Sequence, residues 1–99
     1  MIIYIAGKMT GKKDFGRAKF AAAEDVLRGA GHVVLNPGRL PIGLKDADYM
    51  PICLAMIDAA EAVFRLEDWQ DSLGATLELA YAARREKKIM GPEWDGLLD

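Results

Sequence analysis

Apolar residues fall along this chain in short unbroken runs separated by stretches of helical period. Met1-Ile2-Ile3-Tyr4-Ile5-Ala6 is apolar without polar alternation and stops at Gly7, the pattern of a strand buried on both faces. Residues 14–30 predict a helix. Phe15, Ala18, Ala22 and Val26 form one stripe, and Phe20, Ala23, Leu27 and Ala30 broaden it. Asp14 is typed as its cap, Glu24 and Arg28 as an outward i,i+4 pair, and Gly29 and Gly31 as its stop. His32-Val33-Val34-Leu35 predicts a second strand, closed by Asn36-Pro37-Gly38. Prolines and glycines deny regular structure to residues 36–45, leaving a loop over the strand ends that serves as a connector or carries specificity. Met50, Cys53, Leu54, Ile57 and Ala60 recur at helical spacing over 46–60, with Pro51 in the opening turn. Residues 61–66 read as a third strand, 72–86 as a third helix and 87–90 as a fourth strand ended by Gly91 and Pro92.

Alternating strands and helices predict a single α/β domain over residues 1–99: three layers, Rossmann/flavodoxin-like, around a parallel four-stranded sheet of order 2-1-3-4. In that order the topological switch lies between the first and third strands, and ligands bind outside the carboxyl ends of the strands there. Tyr4, Lys8, Thr10, Asp68, Trp69, Ser72 and Glu78 all fall near that crevice.

Two stretches carry candidate chemistry. Gly7-Lys8-Met9-Thr10-Gly11-Lys12-Lys13 is a glycine loop between strand and helix, the geometry in which backbone N–H groups cradle a phosphate. It is neither G-x-G-x-x-G nor a Walker A sequence, and a solvated basic turn fits it equally well. In the second stretch Ser72 is typed as an N-cap, Gly74 opens the first turn to close approach by a ligand, and Glu78 follows four residues on. A carboxylate there in a Leu/Ala helix is either a working group or one half of a pair with Arg84 or Arg85. Cys53, on or beside the apolar face of the second helix, needs no role beyond filling space.

Charge and cysteine usage narrow the partners. A net charge of −2, with no basic run longer than Lys12-Lys13 or Lys87-Lys88, argues against duplex nucleic acid and anionic membranes. One cysteine excludes an internal disulfide and fits a reducing cytoplasm, and one histidine with no Cys/His cluster argues against a zinc site. With no signal peptide or long apolar span, the expected location is the cytoplasm, and no cofactor is implied.

The order of several short motifs resembles the nucleoside 2-deoxyribosyltransferase-like superfamily, in particular its small branch common in phages and prophages. They are Ile3-Tyr4-Ile5-Ala6-Gly7 with Met9-Thr10-Gly11, Gly31-His32, Asn36-Pro37, Trp69, Ser72-x-Gly74-Ala75 and Glu78. The resemblance spans nearly the whole chain. It implies cleavage or exchange of the N-glycosidic bond of deoxynucleosides or their 5′-monophosphates, with Glu78 as nucleophile and Tyr4 helping to hold it. Ser72-Leu73-Gly74 resembles the 2′-deoxynucleoside 5′-monophosphate N-hydrolases, whose Ser contacts the phosphate. The implied substrate-binding residues are Gly7, Lys8, Thr10, Gly11, Asp68, Trp69, Ser72 and Gly74, with no metal.

This chain departs from the pattern where the superfamily keeps an Asp to protonate the leaving base: Cys53 stands there, and a thiol is a much weaker acid. Asp46, Asp48 and Asp58 are the substitutes within reach in sequence, the last pointing elsewhere on the helix. Lys8 and Glu67-Asp68 replace a usual Pro and Pro-Gly. The expected function is therefore either a nucleotide N-glycosidase or transferase, or a binding module that sequesters or senses a nucleotide. Trp94, Leu97 and Leu98 in the short tail 93–99 predict packing against the body or, as in relatives that complete their pocket from a neighbour, a homodimer or higher homo-oligomer.

Overall fold

A computed structural model describes residues 1–91 of the chain. Its elements are β1 (Ile2–Ala6), α1 (Arg17–Gly29), β2 (Val33–Leu35), α2 (Asp46–Ala59), β3 (Ala62–Arg65), α3 (Leu73–Arg84) and β4 (Lys88–Met90), with 3-10 turns at Pro37–Arg39 and Trp69–Asp71. The strands form one parallel sheet of order β2-β1-β3-β4, as the sequence predicts. Tyr4 sits opposite Leu35 on one side and Val63 on the other, at the centre of the sheet.

The pleat of β1 divides the core in two. Ile3 and Ile5 face α1, with Phe20, Leu27, Phe64, Leu66 and Met90. Tyr4 and Ala6 point to the opposite face, among Cys53 and Ile57 of α2, Val63 of β3, and Leu79 and Ala82 of α3. Helices therefore cover both faces of the sheet, which is why its inner strands lack polar alternation. Among the described residues no helix is long and apolar enough to cross a membrane.

Helix α1 departs from expectation. It begins at Arg17, because Phe15 (φ 56°) and Gly16 (φ 72°) both take the left-handed conformation. A Cβ on Gly16 would lie 2.7 Å from the Lys8 carbonyl oxygen, so this sharp entry requires glycine. Asp14 still serves the helix start from upstream, its carboxylate accepting from the Gly16 and Ala18 N–H groups at 2.9 and 3.0 Å. The buried stripe is Phe20, Glu24 and Leu27, whereas Phe15, Ala18, Ala22 and Val26 face outward. The Glu24–Arg28 pair forms at 3.3 Å, but Glu24 is buried rather than on the outside. Pro51 lies in the second turn of α2 rather than its first. The tail carrying Trp94, Leu97 and Leu98 lies outside the described residues.

Candidate active site at the carboxyl end of the sheet

Helix α3 presents Ala75, Glu78, Leu79 and Ala82 to the sheet, so its periodicity buries one carboxylate among apolar neighbours. The Tyr4 hydroxyl rises from β1 and donates to Glu78 Oε1 at 3.0 Å. Cys53 arrives from α2, and its thiol lies close enough to Glu78 and Tyr4 to interact with both. Three elements thus bring a carboxyl, a phenol and a thiol together. Glu78 is 8% exposed, Cys53 5% and Tyr4 0%.

Burial dominates the electrostatics of this group. Loss of water pushes the Glu78 carboxyl up from 4.5 to about 7, although hydrogen bonds from Tyr4 and Cys53 pull the other way. Burial pushes the Cys53 thiol up from 9.0 to about 11. Tyr4 is raised well above 10, first by burial and then by the Glu78 charge. Near neutral pH the phenol and thiol are therefore fixed donors, and Glu78 is poised between its two forms.

The group forms the floor of a cleft of about 730 Å³. One wall is the loop after β1, with Gly7, Lys8, Met9 and Thr10, and another is the start of α3, with Asp71, Ser72, Leu73 and Gly74. The third comes from the 36–45 loop and the first turns of α2, through Pro37, Ile42, Leu44, Asp46, Tyr49 and Met50. Ser72 is the N-cap, its Oγ accepting from the Ala75 N–H at 3.1 Å. Nothing but Ser72 Oγ, at 3.7 Å, approaches the place of a Gly74 Cβ, so packing does not demand glycine there. Gly7 has a packing reason of its own, since its Cβ would meet Leu66 Cδ1 at 2.7 Å.

Seven of the residues singled out from sequence thus converge on the cleft: Tyr4, Gly7, Lys8, Thr10, Ser72, Gly74 and Glu78. Gly11, Asp68 and Trp69 lie outside its lining. Asp68 fastens the β1 loop from behind: its carboxylate accepts from the Lys8 N–H at 3.0 Å and pairs with Lys12 at 2.7 Å and Lys19 at 3.2 Å. Partial burial raises the Asp68 pKa, but those donors outweigh it and hold it at about 2. Trp69 packs against the core on the α2 and α3 face of the sheet, with the Arg65 guanidinium 5.6 Å from its ring centre. Lys12 pairs with Asp68 and Lys19 with Glu67 and Asp68, and Lys8 is the one ammonium lining the cleft among the described residues.

The resemblance places Cys53 in the site, at the position of the superfamily's leaving-base acid, but not beside Glu78; helical spacing marks it as core, and core it also is. Sequence reasoning missed Asp71, whose only signal is adjacency to the Ser72 cap, and the exposed apolar rim of Phe15, Ile42, Leu44, Leu73 and Leu77. Of the three Asp residues weighed as acids, Asp46 lines the cleft, Asp48 does not, and Asp58 binds Tyr81 and Arg85 elsewhere. Among the described residues no group of three His, Cys, Asp or Glu side chains is placed to hold a metal ion.

A family profile described as "Domain of unknown function (DUF4406)" matches residues 1–91. No curated protein matches the chain. A 2-desoxiribosyltransferase from Leishmania mexicana shares the fold with a TM-score of 0.73 and 26% identity over 91% of this chain. This chain spans 62% of that enzyme's length. A 2-deoxyribosyltransferase from Bacillus psychrosaccharolyticus shares it with a TM-score of 0.71 and 23% identity, covering 92% of this chain and 71% of that one. The architecture is that of the nucleoside 2-deoxyribosyltransferases.

Proposed function

This chain belongs to the DUF4406 domain family, and from the geometry of its cleft we propose that it cleaves or transfers the N-glycosidic bond of a (deoxy)nucleoside 5′-monophosphate, with Glu78 as the nucleophile. One observation carries the reading: a buried carboxylate, oriented by the Tyr4 hydroxyl at 3.0 Å, at the floor of a cleft large enough for a nucleotide. Its fold is shared with two 2-deoxyribosyltransferases, which supports glycosyl chemistry at this place.

In this mechanism Glu78 attacks the anomeric carbon as the base departs, giving a glycosyl-enzyme that water or a second base resolves. Tyr4 holds one carboxylate oxygen so that the other faces the sugar. Lys8, Thr10 and the first-turn N–H groups of α3 hold the phosphate, and the apolar walls take the sugar and base. The similarity of Ser72-Leu73-Gly74 to the deoxynucleotide N-hydrolases favours a monophosphate over a free nucleoside. Incubation with a panel of deoxynucleoside 5′-monophosphates, with free base followed by chromatography, tests the assignment. Release that survives Glu78→Gln at the parent rate would rule Glu78 out as nucleophile.

One observation favours a second reading, a module that binds a nucleotide and leaves it intact: the group beside Glu78 is a thiol held at about 11, not a carboxylic acid. Calorimetry separates the two. Tight binding with the ligand recovered whole selects the module, and base release selects the enzyme.

A further inference from the structure

The chemistry around Glu78 also bears on which base can leave. We propose that the preferred substrates are N-glycosides whose base carries a positive charge in the intact substrate, an N-alkylated purine or a pyridinium, so that it departs as a neutral molecule without accepting a proton. This deepens the nucleophile reading above and rests on it.

Three observations converge. At the floor, the groups flanking Glu78 are the Tyr4 phenol, already donating to the carboxylate, and the Cys53 thiol, both buried. Burial raises each above its ordinary range, so neither gives a proton to a departing base at neutral pH. Next, the ionisable groups lining the cleft are unbalanced: Asp46, Asp71 and Glu78 against Lys8 alone. Neither Asp46 nor Asp71 has an ion-pair partner among the described residues, so their charge remains available to a cation in the cleft. Finally, Phe15 and Tyr49 line the same space with exposed or partly exposed rings, and an aromatic ring attracts a cation more strongly than a neutral base.

The step balances without an acid. The bond from C1′ to the ring nitrogen breaks, and its electron pair goes to that nitrogen and cancels the positive charge. A bond from C1′ to Glu78 Oε forms. Water then attacks C1′, its proton passes to solvent, and Glu78 leaves as carboxylate. A neutral purine or pyrimidine would instead depart as an anion, losing the 10²–10⁴-fold that general acid catalysis typically supplies.

The experiment uses the full-length chain and matched substrate pairs: 7-methyl-2′-deoxyguanosine 5′-monophosphate against 2′-deoxyguanosine 5′-monophosphate, and nicotinamide mononucleotide against its dihydro form. Base release is corrected for the uncatalysed rate. The expected result is a kcat/KM at least about 100-fold higher for the charged member of one or both pairs, abolished in Glu78→Gln. The pair that responds tells an alkylated purine from a pyridinium. Equal rates for charged and neutral members would overturn the substrate class and leave the N-glycosidase reading standing. No release from any of the four would overturn that reading as well. Asp46→Asn and Asp71→Asn add a second measurement: each raises KM for the charged substrate several-fold. Selective loss of kcat for the neutral substrate in either variant would mark that Asp as an acid and overturn the inference. Cys53→Asp, if it folds, raises neutral-substrate cleavage at least about 10-fold relative to charged.

Discussion

At Glu78, burial and hydrogen bonding pull the carboxyl in opposite directions, and burial wins, setting it at about 7. In the proposed mechanism the attacking carboxylate must be ionised, so base release should rise with pH through about 7 and level off above it. A pH–rate profile of kcat/KM checks this, and a profile flat from pH 5 to 9 would contradict it. Tyr4→Phe removes a donor that favours the charged form. The midpoint of the profile should then move upward and the plateau rate fall about 10–100-fold. A purely structural role for Tyr4 would lower stability and leave the midpoint in place. Cys53→Ser is the milder counterpart, since a hydroxyl still donates. It should hold the midpoint nearer the parent's than Cys53→Ala does.

At the scale of elements, the loop that forms the third wall of the cleft is anchored at its start by a buried carboxylate on α1, and further along by Arg17 and Tyr49, which donate to the Leu40 and Pro41 carbonyls. Arg39 clamps Glu24 with two hydrogen bonds, Nε to Oε1 at 2.8 Å and Nη2 to Oε2 at 2.6 Å, while Asn36 Nδ2 donates to Oε1 at 3.0 Å. Asn36 Oδ1 in turn accepts from the Gly38 N–H at 2.7 Å, shaping the turn that places Pro37 against the cleft. Removing the clamp leaves a buried charge poorly paired, so Arg39→Ala should lower the midpoint of urea unfolding. Loss of the Ser72 cap should cost only about 1 kcal/mol, measured the same way on Ser72→Ala. The strand order was legible because inner strands of a parallel sheet are continuous apolar runs, which periodicity reads directly. The start and face of α1 were not. Both depend on partners distant in sequence: the Lys8 carbonyl that admits only Gly16, and the Arg39 that makes an inward Glu24 tolerable. In the site, Tyr4, Glu78 and the place of Cys53 were legible through motif order, but the closeness of the thiol to Glu78 was not, since a thiol on an apolar stripe carries no pattern of its own.

For the molecule as a whole, we propose a homodimer, and light scattering at low micromolar concentration checks it: a mass near 10.9 kDa for the full-length chain would refute it. The balance of buried carboxyls also sets a global pH dependence. Glu24 is depressed from 4.5 to about 2, chiefly by the Arg39 hydrogen bonds working against burial. A depressed carboxyl contributes stability above its unfolded value and loses it as pH falls from about 4.5 through 2, here on the order of 2 kcal/mol after allowing for solvent around Arg39. Asp68, also near 2, adds to the same acid limb. Glu78 has the opposite sign. Its folded value of about 7 exceeds 4.5, so the folded chain binds more protons than the unfolded one between those values. Stability is therefore lost as pH rises from about 4.5 through 7, by roughly 3 kcal/mol at most. Together the two limbs place maximal stability near pH 4–5, below the neutral range in which the proposed mechanism needs Glu78 ionised. Urea unfolding from pH 3 to 9 should show that peak. Glu78→Gln, which cannot ionise, should keep the acid limb and flatten the fall between pH 4.5 and 7, ending more stable than the parent at pH 8. A variant that loses stability equally at pH 5 and pH 8 would mean that the buried carboxyl is not what destabilises the fold above pH 5.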